Sequence, residues 1–294
     1  QIWKENEEVP KVRNVSYQAF VSEYRGHAGK LAAEICAMDD NDICLVAVGG
    51  DGTANEVING ITDFEKVRFG VIPTGSGNDL ARGLSLSKDP KNGAIHILNA
   101  MKKSREDTWC MDLGEVNFGE KKRLFAISAG IGLDALVCKK ALKSTIKDIL
   151  NKIRLGKLTY LVLTVQSLFT MQTADAEIFF DREEGLQKKR MIFTAAMNFK
   201  AEGGGVPMAP AASACDGKLS FCEAAGIPKW RTFLCLPFLV AAKHTSIHGF
   251  SVTDAKDCTI RLSRPLVVHA DGEYCGEVTE VHFHCLPGKL RVLK

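Results

Sequence analysis

An α/β N-terminal domain with a parallel sheet, joined to a C-terminal antiparallel β-sandwich, is the fold class this sequence predicts. Three observations carry it. Strand-like and helix-like segments alternate from residue 15 to residue 101, the pattern of a parallel sheet with crossover helices. From residue 109 onward strand-like runs dominate, several joined by polar hairpins or glycine turns, as in a sandwich or barrel. Two glycine-rich turns, GGDGTANE (49–56) and PTGSGND (73–79), each follow a short apolar run, as expected of strands buried on both faces.

Taken in order, the alternation VSYQAFV predicts a strand over 15–21. Ala- and Leu-rich residues predict a helix over 28–38, and ICLVAV a buried strand over 43–48. A helix over 54–61 follows the first glycine turn. A strand over 69–72 leads into the second, and a helix over 79–84 has Asp79 near its start. Pro90 opens a helix over 90–101. The second half predicts strands over 109–116, 123–128, 176–180, 191–198, 219–224, 259–262, 266–270, 280–285 and 290–293. Helices are expected over 133–150, 158–171 and 229–243. A hinge within 103–108 divides the chain into domains 1–107 and 108–294, with the C-terminal tail able to return to the first.

Composition narrows the function classes. The chain has 294 residues, 46% of them hydrophobic, enough for two cores. A net charge of +3 gives no electrostatic reason to expect nucleic acid as a partner. Ten cysteines without a CxxC pair fit reduced thiols and a cytoplasmic location. The longest apolar stretch near a helix, 233–242, is too short to span a bilayer. A soluble protein that touches a membrane remains open.

The two turns carry the chemistry. Glycine lets backbone N–H groups approach an anion closely, and a helix start supplies further donors. Gly49, Gly50 and Gly52 supply such backbone, and Thr53 and Asn55 can donate to phosphate. Asp51 would reach phosphate through Mg²⁺ or contact nucleotide hydroxyls, because like charges repel. In the second turn the donors are Thr74, Ser76 and the backbone of Gly75 and Gly77, with Asn78 and Asp79 where a helix starts. Ordinary βα turns and simple N-capping are the competing explanations. There is no GxxxxGK[ST] and no GxGxxG opening the first unit, which disfavours a Walker site and a dinucleotide fold.

GGDGTxNE followed by PxGxxNDLAR resembles the diacylglycerol kinase catalytic family of lipid kinases. NAD kinases and phosphofructokinases share the GGDG turn, but the GSGND half is of the lipid kinase type. Further similar stretches are MDLG (111–114), SAGIGLD (128–134), PAASACDG (210–217), Lys243-His244 and DGE (271–273). The resemblance covers residue 15 to the end and implies an active site in a cleft between the two domains, with ATP and Mg²⁺ as cofactors. It implies Asp271 as catalytic base, with Glu273 sharing that role or binding metal. It implies that Asp112 joins Asp51 and Asp79 in a carboxylate–water–Mg²⁺ network, and that Ser213, Asp216 and the Lys218 carbonyl hold a structural metal. Family members begin with a strand and an Asn-Pro glycine turn, and this sequence starts after that point. The sheet is therefore expected to lack a member and nucleotide affinity to suffer, with Ser22 a remaining nucleotide contact.

The function expected is an ATP-dependent kinase of a membrane lipid, most readily diacylglycerol. The alternatives are another lipid alcohol such as a sphingoid base, NAD, or nucleotide binding without catalysis. Expected partners are the lipid substrate, a transient membrane surface at the inner face, and a second copy as homodimer. The basic, amphipathic stretch 138–157 is the expected membrane-facing element. Asp271→Asn is expected to abolish turnover with little change in melting temperature. The histidines show no ligand spacing and are assigned no chemistry.

Overall fold

The computed structural model describes residues 15–38, 40–143, 156–181 and 184–294. The chain forms two compact units, residues 1–113 with 287–294, and residues 114–286. It passes from one to the other within strand β3 (Trp109–Phe118) and within strand β12 (Glu273–Val292).

In the first unit the order is α1 (His27–Cys36), β1 (Ile43–Gly49), α2 (Asp51–Gly60), β2 (Val67–Pro73), α3 (Asp79–Gly83) and α4 (Pro90–Ala100). β1 and β2 run parallel, Ile43 opposite Val67 and Gly49 opposite Pro73. β2 is buried along its whole length and pairs on its other side, again parallel, with Arg291 and Val292 of β12. This is the α/β unit the apolar runs predict. Its register ends β1 and β2 together, so the two glycine turns leave the sheet side by side. The last residues return to this unit: Arg291 pairs with Glu65 at 3.0 Å, and Lys294 lies over the Trp109 ring at 3.5 Å.

Two local expectations are corrected here. Residues 15–23 form no strand, and side chains 16–26 are exposed. The alternation VSYQAFV thus has no buried face to serve. α2 begins at Asp51 rather than at 54, so the glycine turn is itself the first helical turn.

The second unit is antiparallel, in the strand order β12-β11-β5-β8-β9-β10. Here β5 is Ser128–Gly132, β8 Phe193–Met197, β9 Leu219–Ala224, β10 Phe250–Ala255 and β11 Asp257–Ala270. The hairpin β6 (Ala174–Phe180) with β7 (Leu186–Met191) joins through β6 to β11, and β4 (Lys121–Phe125) pairs with β3. Phe125, Ile131, Ile178, Phe221 and Phe283 fill one core. A second core packs under α5 (Leu133–Lys143), α6 (Gly156–Thr170) and α7 (Lys229–Val240). β11 joins two expected strands across a register shift between Arg261 and Leu266, where Pro265 cannot donate a ladder bond. β12 likewise joins 280–285 to 290–293. The expected strand 123–128 divides into β4 and β5, and 191–198 divides at Ile192. The expected helix beyond Lys143 lies outside the described residues.

Candidate active site

In the first unit the two glycine turns are locked together by one carboxylate. Asp51, in the first turn of α2, accepts the Asp79 amide on Oδ2 and the Leu80 amide on Oδ1, both at 3.0 Å. These are first-turn donors of α3 that have no partner within their own helix. Asp51 therefore caps α3 from the neighbouring turn, which sequence spacing alone does not reveal. Burial pushes the Asp51 carboxyl up, and the Leu80 amide and Arg82 pull it back.

The second turn folds on itself. Asn78 takes the left-handed conformation, φ 52, which asparagine tolerates better than most residues. Its Oδ1 accepts the Gly75 amide at 3.0 Å and its Nδ2 donates to the Gly75 carbonyl at 2.7 Å. The competing explanation of simple N-capping does not hold for Asn78, which makes no side-chain cap bond to α3 because its amide group is spent on Gly75. The Asp79 carboxylate pairs with Arg82, which also reaches the Gly77 carbonyl at 2.9 Å. Thr74 donates its amide to Gly49 at 2.9 Å. The turns approach so closely that a Cβ on Gly75 would lie 2.6 Å from the Gly50 Cα. Only glycine fits there.

The remaining residues of this unit divide by exposure. Ser76 is exposed, and Thr53 and Thr74 are half-buried at the turns. A Cβ on Gly49 would strike the Thr53 side chain, so Thr53 sits over that glycine. Asn55 is 1% exposed, and its Oδ1 accepts from Asn59 one helical turn on at 3.3 Å. This bond ties the Asn55 side chain to the next turn of α2. Gly52 lies within α2. Ser22 is exposed in a segment without regular structure. Asp112 is 2% exposed, and its Oδ1 accepts the Gly288 amide at 2.7 Å, holding the returning C-terminal segment.

In the second unit the DGE residues form the tight turn between β11 and β12. Ala270 pairs with Glu273, and Asp271 and Gly272 have φ 47 and 81, the geometry of a two-residue hairpin of the Asp-Gly type. The turn does more than reverse the chain. The Asp271 carboxylate accepts the amides of Ala126 and Ile127 at 2.8 Å and of Ser128 at 3.1 Å, and its own amide donates to Ser128 O at 2.8 Å. About three of the roughly four lone-pair sites of a carboxylate are thus committed. With these bonds Asp271→Asn is expected to cost stability, where the sequence alone suggests little change in melting temperature.

Beneath this turn lies a cluster that the sequence did not disclose. His269, 2% exposed, meets Asp134 Oδ2 through Nε2 at 3.1 Å, and its Nδ1 accepts the Gly272 amide at 3.2 Å. Glu202 joins them and bonds the Ser128 hydroxyl. The register sets Gly130 opposite His269, and a Cβ on Gly130 would fall 1.8 Å from Asp134 Oδ2. The first glycine of SAGIGLD, Gly130, is thus the space through which Asp134 reaches the histidine. Burial pushes Glu202 up; nearby His269 pulls it back and Asp134 pushes it further. For His269 burial acts downward, but the Asp134 bond and the surrounding carboxylates raise it overall. The Gly272 amide requires a lone pair on Nδ1, so the neutral ring carries its one proton on Nε2, facing Asp134. Metal ligation through Nε2 would put a proton on Nδ1 against the Gly272 N–H. The three residues therefore fit a hydrogen-bonded cluster better than a ligand set.

Ser213, Asp216 and Lys218 share the loop before β9. Asp216 Oδ1 accepts the Lys218 amide at 3.0 Å, and Ser213 Oγ lies 3.5 Å from Cys215 Sγ. Within the basic stretch 138–157, Lys139 is paired with Glu277 at 2.6 Å and Lys140 donates to Thr170 at 3.1 Å. Both lysines are already engaged, and residues 144–155 lie outside the described residues.

A glycine-turn α/β unit with an antiparallel sandwich behind an Asp-Gly-Glu turn defines a class of kinases. Residues 1–111 match the model of the diacylglycerol kinase catalytic domain, and residues 128–294 match that of the YegS C-terminal NAD kinase beta sandwich-like domain. The chain belongs to the diacylglycerol kinase family, and it is a kinase. Among its relatives is YtlR of Bacillus subtilis (strain 168), 29% identical over 297 residues, covering 99% of this chain and 94% of that protein. A diacylglycerol kinase of the same organism is 27% identical over 251 residues, covering 83% and 75%. In fold it is similar to the crystal structure of a diacylglycerol kinase from Bacillus anthracis str. Sterne, with TM-score 0.71, 18% identity and coverage of 99% and 90%. The corresponding values for an NAD kinase from Archaeoglobus fulgidus in complex with ATP are 0.55, 14%, 99% and 89%.

Proposed function

We propose that this protein is an ATP-dependent lipid kinase that converts diacylglycerol to phosphatidate at the inner face of the membrane, approaching it from the cytoplasm. The observation that carries this reading is the pair of glycine turns held side by side by Asp51. Such turns offer backbone donors and a helix start to a polyphosphate. The relatives named diacylglycerol kinase support the acceptor.

The chemistry assigned to this chain is in-line phosphoryl transfer. The acceptor oxygen forms a bond to the γ-phosphorus, the bond to the bridging oxygen of ADP breaks, and the acceptor proton passes to a carboxylate. Glu273 takes that proton in this reading. Asp271, with most of its lone pairs on amides, fixes the turn that presents Glu273 and contributes a set negative charge. The carboxylates of Asp51, Asp79 and Asp112 are hard oxygen donors of the kind magnesium prefers. Their bonds to amides and Arg82 suit contact through the ion's own waters. Mg²⁺ held there would offset charge on the phosphates. Ser213, Asp216 and the Lys218 carbonyl form a second oxygen set, for a structural ion.

The test is ADP release from Mg-ATP with and without mixed micelles carrying diacylglycerol, a sphingoid base or, in solution, NAD. Release that depends on diacylglycerol supports the reading. Release only with NAD or the sphingoid base reassigns the acceptor. No release with any acceptor contradicts it.

A further inference from the structure

We propose that the outer face of helix α7, with the adjoining end of α6, is the surface on which this protein seats itself in an anionic lipid bilayer. This deepens the lipid kinase reading and rests on it for the reason a membrane is sought.

Helix α7 has its faces in an unusual arrangement. Thr232, Cys235 and Leu239 are the buried residues, at the i, i+3, i+7 spacing of one face. The opposite face of an ordinary surface helix is polar. Here it carries Trp230, Phe233, Leu234 and Phe238, which are 60%, 40%, 57% and 49% exposed, and Val240 next to them is 65% exposed. A helix apolar all round belongs in an interior, yet this one lies on the surface. The patch continues onto α6, where Phe169 is exposed and its ring lies 6.1 Å from that of Phe233. Lys229 joins the two helices by donating to the carbonyls of Phe169, at 3.3 Å, and Met171. Contiguous exposed apolar surface of this kind marks a binding face.

Charge selects the occupant. Residues 229–253 contain Lys229, Arg231 and Lys243 and no Asp or Glu, and α6 contains no acidic residue either. Arg231 and Lys243 are exposed. Cations around an apolar face with a tryptophan at its edge match the headgroup layer of an anionic membrane, with aliphatic and aromatic side chains entering the acyl boundary. A two-fold contact with a second copy would set these same cations against one another with no acid in these helices to pair them. The lipid surface satisfies both the apolar and the charged parts of the face.

The experiment uses the full chain without ATP or acceptor. Sedimentation is measured with phosphatidylcholine vesicles and with vesicles containing phosphatidylglycerol, for the wild type and for Leu234→Gln/Phe238→Gln. Both positions are exposed, so the fold is expected to survive. The expected result is salt-sensitive binding to the phosphatidylglycerol vesicles that weakens about tenfold or more in the double variant. Equal binding by the variant, or no binding by the wild type, overturns the proposal. So does a wild-type dimer that the variant converts to monomer while vesicle binding is unchanged. Activity on micelle-dispersed short-chain diacylglycerol is read separately and is expected to be the same in both proteins. Loss of vesicle binding in the variant, with no lipid phosphorylated by either protein, leaves the docking face standing and removes the lipid kinase reading.

Discussion

The glycine turns of the first unit and the Asp-Gly turn of the second solve one problem in two ways. Each fixes a carboxylate on backbone amides. Asp51 takes two amides from α3 and so joins two strand ends that are already neighbours in the sheet. Asp271 takes three amides from residues 126–128, more than 140 positions away in sequence, and a His–Asp–Glu cluster with His269 buried and its two carboxylates half-buried supports its turn from below. The first arrangement depends on close backbone approach at glycines. The second depends on a charged side chain whose bonds are long-range. A substitution should therefore separate binding from chemistry in one unit and couple stability to chemistry in the other.

The largest effect is expected at Glu273. Glu273→Gln should lower kcat by about 10²–10⁴-fold with a melting temperature near that of the wild type. Retained turnover would shift the proton acceptor back to Asp271. Asp271→Asn should lose activity and also stability, by about 1.5–3 kcal/mol, because an amide nitrogen would face backbone N–H donors. Thermal unfolding of the two variants side by side tests the difference between a reacting and a positioning carboxylate.

Next come the glycines. Gly75→Ala should raise the apparent Kd for ATP sharply, with a stability loss of about 1–3 kcal/mol as the turns are forced apart. Gly130→Ala should cost a similar amount by driving Asp134 off His269, while ATP affinity in the first unit stays unchanged. Calorimetric titration with ATP and denaturant melts distinguish them. If both variants lose ATP binding equally, the separation between the units' roles fails.

The smallest expected effect is the pH response of the cluster. Glu202 has its carboxyl raised above the ordinary 4.5 in the folded protein, so the fold binds its proton more tightly than the unfolded chain does. Its stabilising contribution is present below that ordinary value and is lost as pH rises through the folded one. Melting temperature should thus fall with rising pH above about 4.5, and Glu202→Gln, which stays neutral, should flatten part of that slope. A wild-type and variant slope that coincide would contradict the upward shift of the Glu202 carboxyl.

The contrast also explains what could be read in advance. GGDGTANE and PTGSGND announce themselves because glycine density, an apolar run and a helix start are all local in sequence. So are α4, announced by Pro90, and β9, whose bounds are those expected. The partners of Asp271 are not local: nothing about Ala126, Ile127 or Glu202 marks them as neighbours of an Asp-Gly turn. His269 carried no spacing signal because its two partners are a backbone amide and an aspartate 135 positions away. Only the SAGIGLD resemblance hinted at it, through a glycine whose purpose is empty space. The false strand over 15–21 is the converse case, where a local alternation has no sheet face to bury against.

The most direct test is transfer of label from γ-³²P-ATP to lipid in micelles containing diacylglycerol. The wild type should place the label in phosphatidate, Glu273→Gln should reduce it at least about a hundredfold, and omission of diacylglycerol should abolish it. Label that stays out of the lipid with the wild type, under conditions where ATP binding is measured, would contradict the assignment of this family member as a lipid kinase.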